Sequence, residues 1–253
     1  MNVVKLVKVA DEGNRFERWA GQRLRNLERA HDRHLAAQRA RRGLRGLEPE
    51  LVVAAALQVL DEVGLEGLSI RAIAERIGVR GPALYWHFRN KQALLDEMAE
   101  AMLADRADQL KGPAEGEPWW DWLAELARWL RRALVSHRDG ARVFAGVTLP
   151  FVPTFIYLED LAVGTLHEAG FSWLDALRAM AALHVYVVGA TIEEQSMPST
   201  EDVGEHQGSF PDPARYPSLA AAFGDFDFDA DAGFEHGLGL IIAGLRSTRI
   251  ENP

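Results

Sequence analysis

Residues 69–91 of this 253-residue chain bring together side chains suited to gripping a polyanion. Ser69 reads as the N-cap of a short helix whose apolar stripe is Ile70, Ile73, Ala74 and Ile77, with Gly78 as its stop. After a short turn, Pro82 opens a second, very short helix ending near Phe88. Two short helices joined by a glycine-containing turn, the second starting on proline, form a helix-turn-helix pattern. Leu84 and Phe88, four apart, face the core, which leaves Ala83, Tyr85, Trp86 and His87 on or near the outer surface. An exposed Tyr-Trp-His cluster is costly in water unless something covers it. A sugar-phosphate backbone is a suitable cover, and the first turn of such a helix can present side chains to base edges in the major groove. Packing of Tyr85 and Trp86 against the preceding helix is the competing reading.

Other chemistries find little support. The chain has no cysteine, which excludes a disulfide framework, a zinc ribbon, a thiolate nucleophile and an iron–sulfur site. No GxSxG, HExxH, Walker or GxGxxG motif is present, so neither catalytic residues nor a cofactor are expected. The run DFDFDAD (225–231) has Ala230 where a calcium loop needs glycine, and no glutamate follows at the proper distance. His31 and His34, three apart, lack further metal ligands.

Composition points the same way. The chain is 48% hydrophobic and 26% charged, ordinary for a globular protein with a sizeable core. The net charge of −9 is unevenly spread. Residues 1–46 hold 12 Lys/Arg against 5 Asp/Glu, and the remaining 207 hold 16 against 32. A basic head on an acidic body suits a polyanion partner for the head alone. Arg39, Arg41, Arg42 and Arg45 stand where an arm could follow phosphates or enter a minor groove, a tail without such a role being the alternative. The longest uncharged run, Val143 to Leu158, is interrupted by Pro150 and Pro153 and is too short for a bilayer, so no membrane partner is expected. Lys5 and Lys8 precede no continuous apolar stretch, so a secretory signal is not expected and the cytoplasm is the expected compartment.

The elements that must position the cluster read as helices throughout. Residues 14–42 read as a solvated or partner-dependent helix rather than a core element. Pro49 opens a helix with Val52, Ala55, Val59, Leu60 and Val63 on one face and Gly64 as its stop. Asn90 caps a long helix with Leu94, Leu95, Met98 and Met102 facing inward. Residues 112–118 form a loop, and helices are expected at about 119–137, 155–169, 173–195 and 233–249, with 198–230 a long loop holding at most a short helix near Ala220. The fold is all-α: a basic extension over 1–46, a three-helix helix-turn-helix domain over 47–92, and a helical body over 93–253.

The run LEGLSIRAIAERIGVRGPALYWHFRNKQALLDEM (65–98) closely resembles the DNA-binding domain of the tetracycline-repressor (TetR) family. Similarity continues in EGEPWWDWL (115–123), ALVSHRDGARV (133–143), EAGFS (168–172), GATIEEQ (189–195) and GLGLIIAGL (237–245), which look like the tetracycline repressor's own subgroup. The resemblance implies a ligand-responsive repressor that binds a palindromic double-stranded operator as a homodimer, with 47–92 as its DNA-binding domain and 93–253 as its ligand-binding and dimerisation domain. It implies DNA contacts at Arg71, Gly81, Pro82, Ala83, Tyr85, Trp86, His87 and Lys91. Direct readout is expected from Arg71 and Arg80, with Ala83 against a thymine methyl and Tyr85, His87 and Lys91 on phosphates.

The resemblance also implies a magnesium–tetracycline pocket, from which this sequence departs. Ala107, Leu126, Phe144 and Val147 stand at positions where the family uses polar or metal-binding side chains, and Glu193 alone does not make a magnesium site. The expected effector is therefore apolar or aromatic, lined by Leu126, Trp129, Phe144, Val147, Phe151, Phe155, His184 and Tyr186, with plain core packing the alternative for each. Segments 173–195 and 233–249 resemble the family's dimer helices, with Ala179, Ala182, Gly189, Leu238, Ile241, Ile242 and Leu245 allowing close approach. Two rivals remain: an effector-independent DNA-binding protein, which a sealed core would favour, and an enzyme on a helical scaffold, which would need convergent titratable groups in a cavity.

Overall fold

The computed structural model describes residues 48–107, 111–197, 214–224 and 229–250. The basic extension, His31, His34 and most of DFDFDAD lie outside the described residues. The chain divides into two compact units, 1–52 and 53–253. Of the first, only the opening turn of one helix is described; the second holds both the helix-turn-helix and the helical body.

The described residues contain helices and connections but no strand. Helix α1 (Pro49–Gly67) buries Val52, Ala55, Val59 and Leu60, as its spacing demands. Gly64 does not end it. At φ 72° and ψ 177° it breaks the axis, and a short turn follows to Gly67. The break takes Val63 off the buried stripe: it is 48% exposed, contrary to the sequence expectation, and lies over Gly67.

Helix α2 (Ile70–Arg76) starts on Ser69, whose Oγ accepts from the Ala72 N–H at 3.1 Å. It gives way to Gly78 at φ 69°, a left-handed conformation that glycine adopts without strain. The expected third helix is a 3₁₀ segment, Gly81–Trp86, with Pro82 in its first turn. Helix α3 (Lys91–Ala104) is capped by Asn90, whose Oδ1 accepts from the Ala93 N–H at 2.8 Å. Leu94, Met98 and Met102 are buried along it, and Leu95 is half-buried.

The body is built from α4 (Trp119–Val135), α5 (Gly140–Ala145), α6 (Pro153–Glu168), α7 (Trp173–Ser196), α8 (Pro217–Gly224) and α9 (Ala230–Ile250). Helix α7, capped by Ser172 Oγ accepting from Asp175 N–H, packs against α4, α5, α6 and α9. Its length and hydropathy would suffice for a membrane span, but the helix is the central stave of this bundle. Helix α5 was not legible as an element. Asp139 enters it in the left-handed region at φ 56°, and a Cβ on Gly140 would lie 2.2 Å from the Leu134 carbonyl oxygen, so only glycine fits the reversal from α4. Gln195 locks this corner: its Nε2 donates to the His137 carbonyl at 2.8 Å and its Oε1 accepts from the Ala141 N–H at 3.1 Å. Arg131 ties three helices together, pairing bidentately with Glu194 at 2.8 and 2.9 Å and with Asp231 at 2.6 Å.

Candidate functional site

The 3₁₀ segment divides its side chains sharply. Leu84 is fully buried, and so nearly is Phe88 just beyond the segment, whereas Tyr85 is 56% and Trp86 73% exposed. His87 and Ala83 are half-buried beside them. The core anchors fix the segment, and its rings are offered to solvent.

Arg71, Arg80, Gly81, Pro82 and Tyr85 line one open groove between α2 and the 3₁₀ segment. Arg71 donates from Nε to Glu75 Oε1 at 2.7 Å, an exposed i,i+4 pair that water weakens and that yields readily to a competing acceptor. A Cβ at Gly81 would meet nothing within 4 Å, so this position is open toward whatever occupies the groove. Lys91 is set further back: its Nζ donates to the Leu68 carbonyl at 2.8 Å, tying the start of α3 to the loop before α2. An ammonium carries three donors, so this bond leaves others available.

A second feature lies in the body. A slot between α4, α6 and α7 is lined by Leu126, Ala127, Leu130, Phe155, Leu158, Glu159, Met180, Leu183, His184 and Val187. Its free volume is about 20 Å³, room for one water. Of the eight effector residues expected from sequence, Leu126, Phe155 and His184 line it. Phe144 stands directly behind, its ring 5.1 Å from Phe155 and 5.6 Å from His184, while Phe155 and His184 meet edge to face at 4.7 Å.

The other four lie elsewhere. Trp129 is buried, but its Nε1 donates to the Arg106 carbonyl at 2.9 Å, which takes the ring away from the slot. Tyr186 is two residues from His184, hence on another face of α7; its hydroxyl donates to the Phe234 carbonyl at 2.7 Å on α9. Val147 is half-buried outside the slot, and Phe151 is 63% exposed because it sits in a short 3₁₀ turn, Leu149–Phe151, ahead of α6.

The sequence reading passed over Glu159. It shares the inward row of α6 with Phe155, Leu158, Ala162 and Leu166, a helical spacing that places a carboxylate among apolar neighbours. Burial pushes its carboxyl up to about 7. Burial also lowers the His184 imidazole below its ordinary value, which keeps it neutral at neutral pH.

Two seams join the helices that flank the exposed segment to the helical body. On α3, the buried Asp96 accepts from the Gln92 Nε2 and the Thr148 N–H, both at 2.9 Å, and Gln92 also donates to the Gly146 carbonyl at 2.8 Å. One turn on, Glu100 accepts from the Thr154 N–H at 3.0 Å and its hydroxyl at 2.7 Å. Helix α3 therefore grips residues 146–154, which run directly into the slot wall of α6. The other seam joins the end of α1 to the α4–α5 corner. Asp61 receives His137 Nδ1 at 2.9 Å and the Arg138 N–H at 3.0 Å, and Asp139 Oδ2 accepts from the Leu65 N–H at 2.8 Å. Arg142 bonds Glu66 at 2.6 Å, and that hydrogen bond, with the guanidinium charge, holds the Glu66 carboxyl below its ordinary value.

On the outside of the body, α7 and α9 expose Val185 and Leu240 beside small residues such as Ala182, Gly189 and Gly244. Ala179, Leu238 and Ile242, expected on this outer face, are buried within the protomer, because they lie on the opposite stripe of the same helices.

Two family models match the chain. Residues 52–98 match bacterial regulatory proteins of the tetR family, and residues 112–249 match the tetracyclin repressor-like C-terminal domain. The chain is 45% identical over 205 residues to the tetracycline repressor protein class A from transposon 1721 of Escherichia coli, covering 81% of this chain and 93% of that protein. Among solved structures, a TetR variant from Acinetobacter baumannii AYE in complex with minocycline is 40% identical, with a TM-score of 0.59 over 78% of this chain and 96% of that one. BioQ in complex with its double-stranded DNA operator is 29% identical, with a TM-score of 0.59 over 79% of this chain and 99% of that one.

Proposed function

The chain belongs to the TetR family of bacterial transcriptional regulators, and on that footing we propose that it is a homodimeric, cytoplasmic repressor. It binds a palindromic operator through residues 47–92 and is released by a small, mostly apolar effector taken up by residues 93–253. The DNA half of this reading is carried by one observation: Leu84 is sealed inside, as is Phe88 just past the 3₁₀ segment, while Tyr85 and Trp86, next to Leu84 on that segment, face solvent. Arg71 and Arg80 supply direct readout from the groove they share, exchanging Glu75 for a base edge in the case of Arg71. Tyr85, Trp86, His87 and Lys91 seat the backbone, Gly81 and Pro82 border it without side-chain hydrogen bonds, and Ala83 meets a thymine methyl.

The dimer forms through the outer faces of α7 and α9, where Val185 and Leu240 stand among small residues that let helices approach closely. Two-fold symmetry then sets two 3₁₀ segments about 34–36 Å apart, one turn of B-form DNA.

The effector is not tetracycline. Buried Leu126 and Phe144 carry no oxygen or nitrogen to hold a magnesium–tetracycline complex, and the Phe144 ring is committed to Phe155 and His184. Because the slot holds only about 20 Å³, an effector enters by moving its wall. Helix α3 holds the start of the α6 wall through Glu100 and the segment leading into it through Asp96, so entry and displacement of α3 are a single event. The effector acts only through preferential affinity for the displaced, non-binding state. The small slot also favours a second reading, a DNA-binding protein without effector control.

In vitro selection from random duplexes tests the DNA half. Enrichment of a palindrome bound by two protomers is expected; enrichment of no common sequence would refute it.

A further inference from the structure

Glu159 is the one acidic side chain facing the slot, and among the described residues its carboxyl has neither an ion pair nor a hydrogen bond. The only other titratable group in the lining is His184, a neutral imidazole that brings no positive charge. The rest of the wall is apolar, including Leu126, Leu130 and Met180. A position with only packing to do would carry leucine or valine here, since a lone carboxyl among methyl groups opposes folding. What such a carboxyl lacks is a cation or an N–H donor. The rings around it suit the same occupant: Phe155 and His184 meet at 4.7 Å with Phe144 behind them, a set of π surfaces beside the acid.

We propose that the effector is a lipophilic amine: an apolar body seated against Leu126, Phe155 and Met180, with one protonated nitrogen paired to Glu159. This rests on the reading of the slot as the effector site and names the chemical class it takes. A neutral body of the same shape gains only the burial. An anion meets like charge and is rejected.

Opening the slot costs the same for any occupant of one shape, so the charge preference is read as a ratio between matched probes. Titrate the full-length protein at pH 8, where Glu159 is largely ionised, with 1-naphthylmethylamine, 1-naphthalenemethanol and 1-naphthoate, following naphthalene fluorescence. The amine is expected to bind at least ~10-fold more tightly than the alcohol, and the carboxylate more weakly than both. Glu159→Gln, which keeps the shape, should abolish the amine's advantage and leave the alcohol within about twofold of wild type. The wild-type ranking stands as a test even if the variant folds poorly. Equal binding of amine and alcohol, or an advantage that survives Glu159→Gln, would overturn the amine assignment while leaving the slot a ligand site. No binding of any probe by protein that still binds its selected duplex would overturn both readings.

Discussion

Adjacent residues on the 3₁₀ segment should respond to truncation in opposite ways. Leu84 is fully buried, so Leu84→Ala removes apolar contacts and leaves a void, a change that costs about 2–5 kcal/mol. For a chain of this length each kcal/mol lowers the melting temperature by about 2–4 °C, so a drop of roughly 4–20 °C is expected at fixed protomer concentration. Tyr85 is 56% exposed, and Tyr85→Ala should change stability by no more than about 0.5 kcal/mol. Its effect falls on DNA. Losing one hydrogen bond to a phosphate costs about 1–1.5 kcal/mol, and the two-fold symmetry of the proposed dimer doubles the loss, so affinity for the selected duplex should fall roughly 30- to 150-fold. Because tyrosine is neutral, the salt dependence of binding should not change. Thermal unfolding and fluorescence anisotropy on the same preparations read both quantities. If Tyr85→Ala melts as early as Leu84→Ala, or binds the duplex like wild type, the outward assignment of the segment is wrong.

Arg71→Ala should weaken binding by about 1–3 kcal/mol and relax preference at one base pair of each half-site; an unchanged base profile in a repeated selection would contradict its readout role. Glu159 should make stability pH-dependent. Its carboxyl is raised to about 7 in the folded chain against 4.5 when unfolded, so the folded state holds the proton more tightly. Wild type should therefore lose stability relative to Glu159→Gln as pH rises from 4.5 through about 7, by at most ~1.4 kcal/mol per pH unit, and level off above. Urea midpoints that differ by a constant amount across this window would refute the burial of the acid. Gly140→Ala places a methyl 2.2 Å from the Leu134 carbonyl oxygen and should destabilise by about 1–3 kcal/mol or more in the same urea assay; a neutral result would mean the α4–α5 corner is built differently.

The sequence carried the elements whose ends are marked chemically. Ser69 and Asn90 cap α2 and α3 through the side-chain oxygens their types suggest, and Gly78 takes the left-handed turn expected of it. Gly64 shows the limit of such marks, because the same conformational freedom that can end a helix here bends one. Helix α5 escaped because its origin is a long-range contact, the approach of Gly140 to Leu134, which no local pattern displays. The lining of the slot was legible only in part, for a related reason. Helical spacing separates His184 from Tyr186, but which neighbour each meets depends on where α6 and α9 dock. Glu159 was the converse case: its place four residues after Phe155 marks it as inward, and its charge hid it among surface acids.

The proposed pairing of two reading segments across one turn of duplex can be tested directly. The chain has no cysteine and a side chain at Gly81 would meet open space, so Gly81→Cys offers a single thiol for an iron–EDTA cleavage reagent. On the selected duplex, cleavage should centre on two major-groove positions about 10–10.5 base pairs apart, related by the palindrome's dyad. Cleavage at one position only, or spread evenly along the duplex, would contradict a dimer that presents its two 3₁₀ segments to one face of DNA.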